Sequence, residues 1–165
     1  MGRFFSLVQI KNNGSREQFL KAFCDVMKKR SLVPCSEKES SVSYILAFSE
    51  SGKWVTLASK EYRDNPKQVK DDAKQTAAEM KTSSFSMDVV DSDWTYIELH
   101  TGADVHDTVM VGRSEFDEEH SPKGRRECWE PILALGKTWE QISEIWNKNE
   151  VFVEDALYEA ASVLG

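Results

Sequence analysis

Two histidines and two aspartates stand within eight residues of one another, at His100, Asp104, His106 and Asp107. Imidazole nitrogens and carboxylate oxygens are common ligands of divalent metals, so this group is the first candidate for a metal site. Gly102 predicts a turn between the two histidines, however, and the spacing does not require their rings to converge. We therefore expect a polar hairpin end that faces water, with no bound metal and no other cofactor.

The three cysteines, Cys24, Cys35 and Cys128, are candidate nucleophiles. A reactive thiol needs a neighbouring base, cation or helix N-terminus that lowers its pKa. Cys128 follows a short basic run and fits this description better than Cys24, which falls on or beside the apolar stripe of a predicted helix. The number of cysteines is odd and no C-x-x-C pair occurs, so we expect free thiols and a reducing, cytoplasmic environment.

No other motif points to an enzyme. Glu154 and Asp155 are adjacent carboxylates, but neighbouring residues on a helix point about 100° apart and do not face each other. The chain has no glycine-rich phosphate-binding pattern and no G-x-S-x-G nucleophile elbow. We therefore expect a protein without catalytic activity.

Charge is distributed unevenly along the chain. The net charge is −7, which argues against direct binding to nucleic acids and against binding to anionic membranes. Residues 1–34 carry a net charge of +5, whereas residues 85–120 carry −9. Because an acidic surface attracts a basic one over long range, we expect the partner to be another protein with a basic surface.

The residues predicted to meet that partner fall into two groups. Acidic side chains expected to be exposed in turns and in the polar loop form the first group: Asp104, Asp107, Asp117, Glu118 and Glu119. Trp139 and Trp146 form the second group, because a spacing of seven places them on one face of a helix. That face either enters the core or provides an aromatic contact surface.

The apolar pattern predicts an α+β fold in a single domain that spans residues 1–165. Strand and helix signals follow the order β-α-β-β-α-β-β-β through residues 1–111, with the last strand at Thr108–Val111. These elements form two βαββ-like units, which suit an antiparallel sheet with both helices on one face. An acidic, polar loop follows at 112–127, and a helical tail at 128–165 is expected to cover a sheet edge or to lie beside those helices.

The first helix is the element that the sequence predicts most clearly. Ser15 and Gln18 form a capping-box pattern at its start. Phe19, Phe23 and Val26 recur at helical spacing, which predicts a buried stripe with Phe23 at its centre.

Together these observations favour a non-catalytic, intracellular protein-binding module, such as an inhibitor, an immunity protein or an adaptor. Its acidic surface would imitate a nucleic-acid backbone and block an enzyme that handles nucleic acids. Two alternatives stay open. One is a small enzyme or ligand-binding domain with a site near His100, His106 and Cys128. The other is a nucleic-acid binder that stacks bases on an open sheet through Trp54 or Trp94.

Overall fold

The computed structural model describes residues 4–32, 44–102, 104–112, 122–148 and 152–165. Within these ranges the chain forms a six-stranded antiparallel sheet in the order β2-β3-β1-β4-β5-β6. The strands are β1 (Phe5–Lys11), β2 (Tyr44–Phe48), β3 (Trp54–Ser59), β4 (Ser83–Val90), β5 (Trp94–Thr101) and β6 (Asp104–Gly112). The helices are α1 (Arg16–Lys29), α2 (Pro66–Met80), α3 (Arg126–Trp129), α4 (Trp139–Trp146) and α5 (Val153–Leu164). The α+β class and the order of the elements agree with the prediction from the sequence.

α1 covers one face of the sheet and begins at the predicted capping box. The Gln18 backbone N–H donates to Ser15 Oγ, and the Gln18 side-chain oxygen accepts from the Ser15 N–H. The rings of Phe19 and Phe23 stack with their centroids 6.2 Å apart, and Phe23 meets Tyr44 of β2 edge-on. Both phenylalanines are buried, which confirms the predicted stripe.

α2 lies beside α1 on the same face and turns small side chains towards the sheet. Ala73 and Ala77 are fully buried, and Ser84 Oγ of β4 donates a hydrogen bond to the Ala73 carbonyl at 2.5 Å. The helix is 15 residues long. Across the described ranges, no helix combines the length and the apolar character needed to cross a membrane.

The C-terminal helices cover the opposite face of the sheet, which corrects the expectation that they lie at an edge or beside α1 and α2. Side chains alternate along a strand, so Phe85 and the other odd-numbered residues of β4 point towards the tail. The Phe85 ring centroid lies 5.3 Å from that of Trp54 and 6.0 Å from that of Trp129. The central strands are therefore apolar on this face as well, and a sheet of that kind requires cover on both sides.

The α2 face of β4 and β5 carries polar side chains in place of an apolar core. Residues that face each other across the two strands are Ser84 and His100, Ser86 and Glu98, and Asp88 and Tyr96. Lys70 reaches down from α2 and forms an ion pair with Glu98. The alternation of both strands thus places a ladder of polar groups beneath one helix.

Candidate functional site

Asp107 is a buried residue that anchors α3 to the sheet, and it is not an exposed acid. It is 8% exposed, and one carboxylate oxygen accepts from the Trp129 indole N–H at 2.9 Å and from the Arg125 backbone N–H at 2.7 Å. Arg125 Nε donates to the other oxygen at 3.1 Å. The expectation that Asp107 is exposed is therefore wrong. Its side chain points inwards from β6, and its carboxylate accepts the hydrogen bonds that fix the start of α3.

The two histidines lie at different depths. His100 is 1% exposed, and its Nε2 lies 3.9 Å from Glu98 Oε2, whereas His106 is exposed on β6. The expectation of a hairpin end facing water is wrong for His100, because α2 covers that part of β5. In the portion of the chain that the structure describes, no three His, Cys, Asp or Glu side chains form a group that could hold a metal ion.

Cys128 lies in α3, on the side of the sheet opposite α2, and its surroundings suppress the thiolate. Burial raises the pKa of the Cys128 thiol and the Asp107 carboxylate raises it further, whereas the Arg125 charge lowers it to a smaller extent. Its contact with His106 is to the backbone carbonyl, which accepts from Sγ at 3.9 Å. The structure therefore does not assemble His100, His106 and Cys128 into the single site that the sequence allowed.

The acidic contact surface stays a prediction. Asp104 begins β6, and Asp117, Glu118 and Glu119 lie outside the described residues. Asp91 and Asp93 in the β4–β5 turn are exposed acids within the described part of residues 85–120. Cys24 is a half-buried free thiol on α1, and Cys35 also lies outside the described ranges.

The tail tryptophans are part of the core. Trp146 is 2% exposed, its ring centroid lies 5.5 Å from that of Trp129, and Trp139 packs half-buried against the same cluster. Of the two interpretations of this face, the core is the one that the structure supports, since α4 turns Trp139 and Trp146 towards the sheet. Trp54 is buried as well and cannot stack on a nucleic-acid base.

A cavity of about 230 Å³ lies between the tail and the sheet, next to Trp146. Its walls come from strands β1, β3, β4 and β5, from the β2–β3 turn and from helices α4 and α5. The lining residues are Gln9, Ser49, Trp54, Thr56, Phe85, Met87, Ile97, Trp146, Leu157, Ala160, Ala161, Leu164 and Gly165. The buried lining is apolar apart from two indole N–H groups, and the half-buried Gln9, Ser49 and Thr56 mark the side that reaches solvent.

Some polar groups of the residues that line the cavity have hydrogen-bond partners, and one does not. Gln9 and Thr56 hydrogen-bond to each other across β1 and β3 at 3.0 Å, and the Trp54 indole N–H donates to the Leu164 carbonyl at 2.9 Å. The indole N–H of Trp146, by contrast, is buried and has no hydrogen-bond partner among the described residues. Buried donors are nearly always paired, so this unpaired N–H is an exception that calls for an explanation.

α5 forms the wall that separates the cavity from solvent, and it is fastened at both ends. At its C-terminal end, Ser51 Oγ donates to the Gly165 carbonyl at 2.6 Å and the Ala134 N–H donates to the Val163 carbonyl at 2.9 Å. At its N-terminal end, the Val153 N–H donates to the Ser92 carbonyl at 2.9 Å. The middle of the helix contributes small side chains, including Ala160, and these leave the space unfilled.

Sequence reasoning did not identify this cavity. Its residues are ordinary core residues of seven separate segments, and they come together only because the tail packs on the face opposite α2. The one available signal was in α5, where Ala160 and Ala161 have side chains too small to fill the space next to the aromatic residues of the core. Comparison of the chain with protein-family models, with curated protein sequences and with solved structures finds no match.

Proposed function

We propose that this protein is a binding domain for a compact, largely apolar small molecule that occupies the cavity between α5 and the sheet. The observation that supports the proposal most is an apolar cavity lined in part by Trp146, whose buried indole N–H has no hydrogen-bond partner among the described residues. Ligand sites in proteins are mostly apolar concavities with a few placed polar groups. This cavity has both properties.

The size of the cavity limits the size of the ligand. An engineered cavity of about 150 Å³ lined by apolar side chains binds benzene. A cavity of about 230 Å³ is half as large again and suits a bicyclic ring of the size of indole, quinoline or naphthalene. Trp54 and Phe85 of the sheet and Trp146 of α4 give the cavity three aromatic walls, so a flat ring fits this space better than a branched chain.

The polarity of the cavity limits the chemistry of the ligand. Trp146 can only donate a hydrogen bond, so the ligand should carry an acceptor, such as a ring nitrogen or a carbonyl, on the part that lies deepest. Gln9, Ser49 and Thr56 lie towards solvent and would meet a polar substituent there. No charged side chain lines the cavity among the described residues, which favours a neutral ligand.

The proposal can be tested with quinoline and naphthalene, which have nearly the same shape but differ in the ring nitrogen. We expect both to bind, and we expect Ala160→Leu to abolish binding because the added methyl groups occupy the cavity. Ser162→Leu adds the same apolar group to an exposed position of α5 and should leave both affinities unchanged. In Trp146→Phe, quinoline should lose about fivefold in affinity relative to naphthalene, the worth of one hydrogen bond.

Titration calorimetry on the four proteins provides these affinities. Absence of saturable binding of either compound to the wild type would contradict the proposal. Equal affinities in the wild type and in a folded Ala160→Leu protein would contradict it too, because binding would then occur elsewhere.

A further inference from the structure

A second concavity lies on the α2 side of the sheet, away from the cavity under α5. Its floor is one row of residues that face each other across four strands: Ser6, Asp88, Tyr96 and Met110. Same-face neighbours on adjacent strands lie close enough for their side chains to meet. The row therefore forms a continuous strip with one carboxylate and one phenol ring at its centre.

The walls of this groove give it an aromatic and a basic side. Phe4 and Trp94 stand at the strand ends, and Phe4 is 61% exposed. Arg63, Pro66 and Lys70 come from the segment that leads into α2 and from its first turns. The groove encloses about 420 Å³, enough for a molecule of ten or more non-hydrogen atoms by comparison with the ~150 Å³ cavity that holds benzene.

Lys70, one of the three charged residues that line the groove, is already paired inside the protein. It forms an ion pair with Glu98, and its ammonium group lies 5.0 Å from the centre of the Tyr96 ring. These contacts hold Lys70 in place and offset most of its charge.

The other two charged residues of the groove, Asp88 and Arg63, are less completely paired. Asp88 shares a hydrogen bond with Ser6, but its Oδ1 is buried and has no partner in the described ranges. Arg63 is exposed and forms no ion pair or hydrogen bond with any described residue. Asp88 therefore lines the groove with an incompletely paired carboxylate, whose unpaired Oδ1 is buried, and Arg63 places a guanidinium without a described partner at the rim.

We propose that this groove binds a small zwitterion with an apolar side chain, of the chemical class of the α-amino acids. The ammonium group of the ligand would pair with the Asp88 carboxylate, and its own carboxylate would meet the guanidinium of Arg63. The apolar side chain would lie against Phe4, Trp94 and Met110. A zwitterion satisfies both free charges at once, whereas a simple amine or a simple carboxylate leaves one of them unpaired.

The protonation behaviour of Asp88 is consistent with this assignment. Burial raises the pKa of the Asp88 carboxyl, and the Ser6 hydrogen bond and the Lys70 charge offset this only in part. A carboxylate that is desolvated and incompletely paired gains from an incoming cation. Perturbed acids of this kind in a cleft are typical of functional sites.

The experiment is a titration of the wild-type protein with phenylalanine, leucine and methionine, followed in ¹H–¹⁵N spectra. We expect saturable shifts of the Ser6, Asp88 and Tyr96 amides at millimolar amino acid, without a shift of the Trp146 indole signal. N-acetylphenylalanine lacks the ammonium group and phenylalanine amide lacks the carboxylate. Each should bind at least tenfold more weakly, as expected for the loss of a hydrogen bond to a charged group.

Matched variants locate the two contacts. Asp88→Asn and Arg63→Gln should each weaken phenylalanine binding about tenfold or more. Asp93→Asn in the exposed β4–β5 turn and Lys67→Gln on α2 change the same charges outside the groove and should have no effect. The proposal is overturned if none of the three amino acids binds at millimolar concentration, or if N-acetylphenylalanine binds as well as phenylalanine. Unchanged binding in both groove variants would also overturn it.

Discussion

The same residue type performs different tasks here depending on the face of the strand from which it projects. Asp107 on β6 faces the tail and receives three N–H hydrogen bonds from Arg125 and Trp129. Asp88 on β4 faces α2, where one of its oxygens has no partner among the described residues. Both acids contribute to the net charge of −9 of residues 85–120, yet the buried Asp107 carboxylate is used in hydrogen bonds that stabilise the fold. Charge along the sequence therefore overestimates charge on the surface.

Replacement of Asp107 by alanine should destabilise the protein strongly. The change leaves the buried Trp129 indole N–H without an acceptor and releases Arg125, so the free energy of unfolding should fall by about 3 kcal/mol. Urea denaturation of Asp107→Ala measures this loss. The control is Asp93→Ala, whose side chain is exposed and which should change stability by less than about 0.5 kcal/mol. Equal stabilities for the two variants would show that Asp107 is a surface acid after all.

At the scale of elements, the parts of the fold that depend on local sequence were predictable. The capping box at Ser15 starts α1 as expected, a second capping box at Thr138 starts α4, and the turn at Asp91–Asp93 joins β4 and β5. β6 is longer than the predicted Thr108–Val111, because pairing with β5 recruits polar residues that carry no strand pattern of their own. Tertiary pairing of this kind outweighs local propensity.

The placement of elements relative to one another was less predictable. The polar ladder on β4 and β5 could have been inferred from the alternation of Ser84, Ser86 and Asp88 with apolar residues. That alternation usually indicates a face in water, however, and here α2 covers it. The position of the tail helices depends on contacts between residues far apart in sequence, such as Trp54 with Leu164. The cavity, which these contacts create, could not be predicted for the same reason.

The stripe of α1 allows a test of packing at this scale. Phe23 contacts Phe19 and Tyr44 in the core between α1 and the sheet. Phe23→Ala should lower the free energy of unfolding by about 3–5 kcal/mol, as is typical of a buried phenylalanine. Phe4→Ala removes the same group from an exposed position and serves as the control. If both variants show the same denaturation midpoint, the helix face has been assigned wrongly.

At the scale of the whole molecule, the sheet separates two different environments. The α2 side carries charged and polar groups that lead to an open groove, and the tail side carries an aromatic core with a cavity. Both concavities lie where a helix meets the sheet. The two concavities support the proposed binding of small molecules, and the protein-binding role expected from the charge of residues 85–120 stays a prediction.

The central claim is that the cavity holds a neutral ligand that accepts a hydrogen bond from Trp146. The most direct measurement is the indole Nε1–H signal of Trp146 in ¹H–¹⁵N spectra during a titration with quinoline. We predict a saturable downfield shift of this signal, because an N–H that gains an acceptor is deshielded, and a smaller shift with naphthalene. The Trp129 indole N–H already donates to Asp107, so its signal should not shift and serves as an internal reference. Saturable binding of quinoline with an unmoved Trp146 signal would contradict the account.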